Sequence, residues 1–260
     1  MFDSQIGFIE CMDFQEEKPG KSSERCKISV IVPVLDEQEY INSHIGHIRQ
    51  QDFEDKLEII VVDGDTDGRT LEVIEDSDTV KITSSRGRGQ QLNAGAAVAR
   101  GQILLFLHAD TQLPPGGLLK IVDILEDDQY VGGAFDLGID SKKLFLRFIA
   151  ARARFRSRLS RIPYGDQAIF VRKSYFEQIG GFKEIPLMED IEFMQRIKRQ
   201  GGKIFILKDR VSTSDRRWQA EGVLYTTLRN QFLASMYYLG VSPQRLARYY
   251  RNHRRNKSTG

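Results

Sequence analysis

The sequence holds only two cysteines in 260 residues, Cys11 and Cys26, and they form no Cys-x-x-Cys pair. Both lie in a polar leader, so neither a disulfide framework nor a cysteine metal site is indicated. Its four histidines, His44, His47, His108 and His253, are too scattered for zinc-ligand spacing. No run approaches the roughly 18 apolar residues that a membrane span needs; the nearest, Phe232 to Val241, is interrupted. The N-terminal stretch carries Asp3 and Glu10 where a secretory signal would place positive charge, without an apolar stretch behind them. A cytoplasmic protein is the expectation. Neither Gly-x-Gly-x-x-Gly nor a P-loop follows the first strand pattern, and no Ser-His-Asp or Cys-His order emerges, so dinucleotide binding, P-loop chemistry and triad hydrolysis lose their support.

What is present is a globular composition with a divided charge. Apolar residues at 40% and aromatics at 10% can fill a core, and 28% charged residues supply a soluble surface. The net charge of +2 conceals eight Lys or Arg between Ser141 and Gly165, and seven more after Glu221, with no acid in either stretch. Those clusters leave 23 cations against 36 acids elsewhere. An acidic body with a basic surface suits an anionic ligand, a membrane or nucleic acid, and also solvated helix faces. No RNA-binding signature accompanies the cations, so no nucleic acid is expected.

Residues 1–26 read as a loose leader, 27–241 as a single domain, and 242–260 as a basic C-terminal helix and tail. Lys27 to Val34 and Leu57 to Gly64 are β-branched runs typical of strands buried on both faces, and Val80 to Thr83 and Gln102 to Leu107 add two more. Helical patterns at Glu39 to Gln50, Arg69 to Asp76 and Gln90 to Ala99 lie between them. This alternation predicts an α/β fold with a mostly parallel sheet, whose ligands bind beyond the carboxyl ends of the strands. Polar residues collect at those ends: Asp36-Glu37, then Asp63-Gly64-Asp65-Thr66-Asp67-Gly68, then His108-Ala109-Asp110. Each also suits a tight turn.

Downstream, the pattern predicts a helix from Leu118 to Glu126, a strand from Tyr130 to Leu137 and another from Gln167 to Arg172. Helices follow at Ser174 to Ile179 and Asp190 to Gln200, then a strand at Lys203 to Leu207, a helix from Gly222 to Leu239, and a last helix opened by Pro243. Within the basic segment, Leu144, Phe148, Ala151, Phe155 and Leu159 make one apolar stripe on a helix that also carries Arg147, Arg154 and Arg158, with Arg161 close behind. The stripe is expected to pack on the sheet, with a membrane interface as the alternative.

These motifs, in order, resemble the family 2 glycosyltransferases of GT-A fold, and within them a small soluble bacterial subgroup. Ile31-Val32-Pro33-Val34-Leu35-Asp36-Glu37 is similar to the family's nucleotide-binding strand and turn. Gly87-Arg88-Gly89-Gln90-Gln91-Leu92-Asn93-Ala94-Gly95 and Leu104-Leu105-Phe106-Leu107-His108-Ala109-Asp110 resemble the stretch leading to its metal-binding Asp. Pro163-Tyr164-Gly165-Asp166-Gln167, Gly180-Gly181-Phe182, Leu187-Met188-Glu189-Asp190 and Arg216-Arg217-Trp218 continue the likeness. The family's metal motif has an acid at both ends; here the first is His108.

The resemblance implies an inverting, metal-dependent transferase that moves a sugar from a nucleotide sugar, a UDP-sugar first, to a hydroxyl acceptor that is a small molecule or lipid-linked. Pro33, Asp36, Glu37, Asp63, Arg86, Arg88, Asn93, Ala109 and Asp110 would meet the donor. Which carboxylate of the 63–67 turn faces it stays open. Asp110, with His108 as a candidate partner, would hold Mg²⁺ or Mn²⁺, hard ions that suit few carboxylates and open water positions. Asp190 would be the general base, since an alcohol becomes a competent nucleophile as its proton leaves. Asp166, Gln167, Glu189, Arg217 and Trp218 would line the sugar and acceptor side. The implied location is cytoplasmic, with peripheral contact at the inner membrane face as an option. Two other classes compete. A sugar nucleotidyltransferase would need a glycine-rich N-terminal loop that is absent, and a binding protein of the same fold would lack metal-dependent hydrolysis of UDP-sugars.

Overall fold

A computed structural model describes residues 27–53, 55–140, 144–214 and 223–255. Its frame is an eight-stranded sheet built from β1 (Ile28–Val34), β2 (Leu57–Asp63), β3 (Val80–Thr83), β4 (Ile103–Phe106), β5 (Thr111–Gln112), β6 (Tyr130–Asp140), β7 (Ile169–Arg172) and β8 (Lys203–Ser214), in the order β3-β2-β1-β4-β7-β6-β8-β5. β1 pairs in parallel with β2 and β4, β2 with β3, and β6 with β8; β7 runs antiparallel to β4 and β6, and β5 to β8. The parallel half is the expected βαβ series, and β7 turns the sheet mixed.

Both faces of this sheet are covered, which explains the unbroken β-branched runs. On one face, Ile28, Val30 and Val32 of β1 join Ile59 and Val61 of β2 beneath α1 (Ile41–Arg49) and α4 (Gly117–Glu126). On the other, Ile31, Ile60 and Val62 meet α3 (Arg88–Val98), α6 (Lys173–Gln178) and α7 (Glu189–Arg199). The strand period of two thus sends alternate residues into separate cores. Gly95 lets α3 sit close: a Cβ there would stand 2.5 Å from Ile31 Cγ2.

Three sequence expectations need correction. The helix expected over residues 69–76 is a single turn, α2 (Arg69–Glu72), because Asp76 instead builds a turn, accepting the Asp78 N–H and the Thr79 hydroxyl. β8 runs to Ser214 rather than stopping at Leu207; Lys208, Asp209 and Arg210 broke the apolar pattern in the middle of the strand. The third concerns α5 (Leu144–Ser160), whose apolar stripe was expected on the sheet. Phe148, Ala151, Phe155 and Leu159 face outward, while Leu146, Ala150 and Ser157 are buried. Hydrogen bonds seat the helix on β6: Arg154 donates to the Leu137 carbonyl, Arg158 pairs with buried Asp136, and Ser157 receives the Gln167 amide. The side chain of Leu144 lies outside the described residues.

The chain closes with α8 (Val223–Tyr238) and α9 (Pro243–Arg255). Arg229 of α8 lies over the rings of Tyr225, at 5.3 Å, and Tyr250, at 4.6 Å, and Phe232 meets Tyr249 at 5.6 Å. Leu246 and Ala247 of α9 are buried. No helix among the described residues is long and apolar enough to cross a membrane.

Candidate active site

The polar strand ends gather at one edge of the sheet in two groups. The first surrounds the ends of β1 and β2. Asp36, in a left-handed turn at φ 56°, accepts from Arg69 at 3.0 Å, and Arg69 also pairs with Asp65 at 2.8 Å. The Arg69 hydrogen bond holds the Asp65 carboxyl below its ordinary range. Glu37 donates its N–H to the Thr70 hydroxyl. Asp63 is fully buried; one carboxylate oxygen accepts the Asp65 N–H at 2.9 Å and the other the Thr70 N–H at 3.1 Å. Its carboxylate therefore shapes the loop, and Asp65 and Asp67 are the acids of that turn that reach solvent. Gln91, from α3, ties the two strand ends together by donating to the Val34 and Val62 carbonyls. Pro33 is half-buried within β1, and Arg86 lies exposed near Asp65.

The second group forms where β4 ends against the N-terminus of α7 and the 3₁₀ turn Gly165–Gln167. The Asp110 carboxylate accepts the Thr111 hydroxyl at 3.3 Å, its backbone carbonyl accepts the Ser214 N–H at 2.9 Å, and half-buried Ala109 precedes it. Asp190 accepts the Gly165 N–H at 2.7 Å with Oδ2 and the Ile191 N–H at 2.8 Å with Oδ1. A Cβ on Gly165 would stand 3.1 Å from His108 Nε2 and 3.3 Å from Asp190 Oδ2, so these two side chains close on the same small backbone. Asp166 feels both Asp190 and Asp110; burial first, then those like charges, push its carboxyl up to about 6 against the pull of Arg156 and Arg88. Behind it, Arg88 donates to the buried Glu189 at 3.1 Å. Burial and Asp190 raise the Glu189 carboxyl while Arg88 opposes them, and Glu189 in turn raises Arg88.

Two further expected site residues are engaged in hydrogen bonds within the fold. Asn93 exchanges a pair of hydrogen bonds with the backbone of Phe182, donating at 2.8 Å and accepting at 2.9 Å. Gln167 is fully buried; it donates to the Phe135 carbonyl and the Ser157 hydroxyl and accepts the Tyr164 N–H. Both fix loops that carry the site. Arg217 and Trp218 lie outside the described residues.

Sequence reasoning missed the aromatic and cationic wall. The Arg156 guanidinium lies 3.3 Å from the Tyr164 ring centroid, and Tyr238 of α8 lies close enough to act on Tyr164. Tyr250 of α9 lies close enough to act on Arg88. Arg156 was one of eight similar cations in its segment, and nothing in the spacing singles out the one that turns inward.

The sequence model of glycosyl transferase family 2 matches residues 29–183. The chain belongs to this family. A probable glycosyltransferase of Bacillus subtilis, YdaM, is 28% identical over 229 residues, covering 77% of this chain and 54% of that protein. A Campylobacter jejuni GalNAc(5)-diNAcBac-PP-undecaprenol beta-1,3-glucosyltransferase is 35% identical over 104 residues, 37% of this chain and 33% of its own length. This family member thus spans about half or less of those relatives. Among solved structures, a mannosyltransferase from Pyrobaculum calidifontis in complex with GDP-Man and Mn²⁺ superposes with a TM-score of 0.59 at 22% identity, over 85% of this chain and 66% of that one. The GT-A fold expected from the motifs is the fold observed.

Proposed function

We propose that the chain is an inverting glycosyltransferase that moves a sugar from a nucleotide sugar, a UDP-sugar first, to a hydroxyl acceptor, with Mg²⁺ or Mn²⁺ as cofactor. The observation that carries this reading is the convergence of Asp110, Asp166 and Asp190, with His108 and Arg88, where β4 meets α7. Acids at a strand end and a second acid on a facing helix supply the two sides that an in-line displacement needs.

Among the described residues no three His, Cys, Asp or Glu side chains are arranged to enclose an ion. A carboxylate at a strand end with a histidine beside it would suit a hard divalent cation, which takes few protein oxygens and leaves positions open. Asp110 would hold it, with His108 beside, and the bound ion would neutralise the departing diphosphate. Asp190 takes the acceptor proton as the hydroxyl oxygen attacks the anomeric carbon and the carbon–oxygen bond to the diphosphate breaks. The Gly165 N–H and the Ile191 N–H hold the Asp190 carboxylate in place. Arg88 lends positive charge on the leaving-group side.

A second assignment exchanges the two acids. Asp190 carries two backbone hydrogen bonds, whereas no hydrogen bond to the Asp166 carboxyl is found among the described residues, and burial pushes that carboxyl up to about 6. Asp166 would then be the base and Asp190 its support.

The deciding experiment is calorimetry of UDP and UDP-sugars with and without Mn²⁺, followed by turnover with simple acceptors. UDP should bind in a metal-dependent way, and Asp110→Asn should weaken that binding by about 1–3 kcal/mol, the range for a lost charge-assisted contact. Metal-dependent binding without any hydrolysis or transfer would support the non-catalytic alternative. UDP affinity indifferent to both metal and substitution would remove the donor site from this edge of the sheet.

A further inference from the structure

Helix α5 turns its apolar stripe away from the protein. Phe148, Phe155 and Leu159 are 65%, 70% and 75% exposed, and at the helical period they fall within about 40° of one another. Around them lie the exposed side chains of Arg147, Arg152 and Arg161, while Arg158 is engaged with Asp136 on the sheet side, and no acid occurs between Ser141 and Gly165. At the C-terminal end of the helix, Lys198 donates to the Ser160 carbonyl. There a shallow cleft of about 510 Å³, lined by Ile162, Gln195, Lys198 and Arg199, extends the positive surface.

Charge decides what this surface fits. Contiguous exposed aromatic and aliphatic side chains mark an interaction site, and a cationic rim without acids calls for an anionic partner. A second copy docking through a two-fold axis would set arginines against arginines, since an isologous interface opposes each patch to itself. A bilayer with acidic headgroups satisfies both parts at once: apolar side chains enter the headgroup boundary and each cation near the surface adds to the attraction.

We propose that α5 is a docking helix for an anionic phospholipid bilayer, with Phe148, Phe155 and Leu159 seated at the headgroup boundary and Arg147, Arg152 and Arg161 on the lipid phosphates. The inward side of the same helix carries Arg156 against Tyr164 next to Asp166. Docking therefore brings the acceptor side of the site to the membrane. The docking inference stands on the exposed face of α5 and not on the transferase reading.

Co-sedimentation with phosphatidylcholine vesicles, with and without phosphatidylglycerol, tests it. The protein should pellet with the phosphatidylglycerol vesicles at low ionic strength, remain in solution with phosphatidylcholine alone, and be released as salt screens the charges. A Phe148→Ser, Phe155→Ser, Leu159→Ser triple variant and, separately, an Arg147→Gln, Arg152→Gln double variant should each lose at least tenfold in vesicle affinity. Their melting points and their UDP binding should stay at the parental values, so that failure of docking and failure of the donor site read out separately. Binding by the triple variant equal to the parent, or no binding to the acidic vesicles at low salt, overturns the proposal. So does a stable dimer that the triple variant dissociates in the absence of lipid binding, since a second copy would then be the occupant.

Discussion

Arg88 and Glu189 are 101 residues apart in sequence and 3.1 Å apart in the fold. Their pair joins the first turn of α3 to the first turn of α7 and so ties the two helices together at the candidate site. Glu189 is buried, whereas the Arg88 side chain is 39% exposed, so the burden of desolvation falls on the acid.

Removing the cation should therefore cost more than removing the acid. Arg88→Met leaves a buried carboxylate without its counter-charge and should destabilise by about 1–3 kcal/mol, less than a fully buried pair because solvent reaches the arginine. Glu189→Gln should cost less. Urea midpoints of the two variants and of the double variant measure the asymmetry; equal losses would mean that the pair is not what holds the helices.

Asp190→Asn should lower kcat by about 10²-fold or more while donor affinity changes little, because a general base acts in the transition state. The same substitution at Asp166 should leave more activity. If the order is reversed, Asp166 is the base. NMR of the product's anomeric carbon must show inversion for either acid to hold that role.

Gly165 lies between the side chains of His108 and Asp190. Replacing it with Ala would drive a methyl group within 3.1 Å of His108 and 3.3 Å of Asp190, tight enough to displace one of them by a few tenths of an ångström. We expect kcat to fall about tenfold with the melting point nearly unchanged, since small errors of alignment are paid in rate. A large fall in melting point instead would mark Gly165 as a folding residue.

Half-buried Asp166 and buried His44 should give the stability opposing pH slopes between about pH 4 and 6.5. Asp166 has a folded value pushed up to about 6 from 3.8, chiefly by burial, so its contribution is present below about pH 4 and is lost as pH rises through 6. His44 is held down to about 4 from 6.5, by burial and then His47, with Asp110 opposing; its contribution is present above 6.5 and is lost as pH falls through 4. The slopes partly cancel in the parent. Asp166→Asn should expose the loss toward acid, and His44→Gln the loss toward neutrality, both read from urea midpoints across this range.

Much of this architecture could be read before the coordinates. The runs Val30-Ile31-Val32 and Ile59-Ile60-Val61-Val62 are legible because a strand covered on both faces tolerates few polar residues. The strand-end acids were legible as a set, but their orientations were not. Asp63 turns both oxygens into its own loop, and a sequence cannot say whether a turn acid serves the ligand or the turn. In α5, an apolar stripe was read as a buried one, yet the helix is anchored on its other side through Arg154, Ser157 and Arg158. Periodicity reports that a face is apolar; what lies opposite it depends on residues far along the chain.

The sheet order sets a timetable for synthesis. β6 lies between β7 and β8, and its long parallel ladder is with β8, whose first residue comes 63 positions after Asp140. At ribosomal speeds of roughly 5–20 residues per second, β6 waits on the order of 3–13 s with that edge open. An unpaired strand is a template for the wrong neighbour. The segment that carries the family signature ends at residue 183, before β8 exists, so released alone it would keep that edge exposed. The edge of β6 thus stays open from residue 140, through the end of that segment, until β8 has been made.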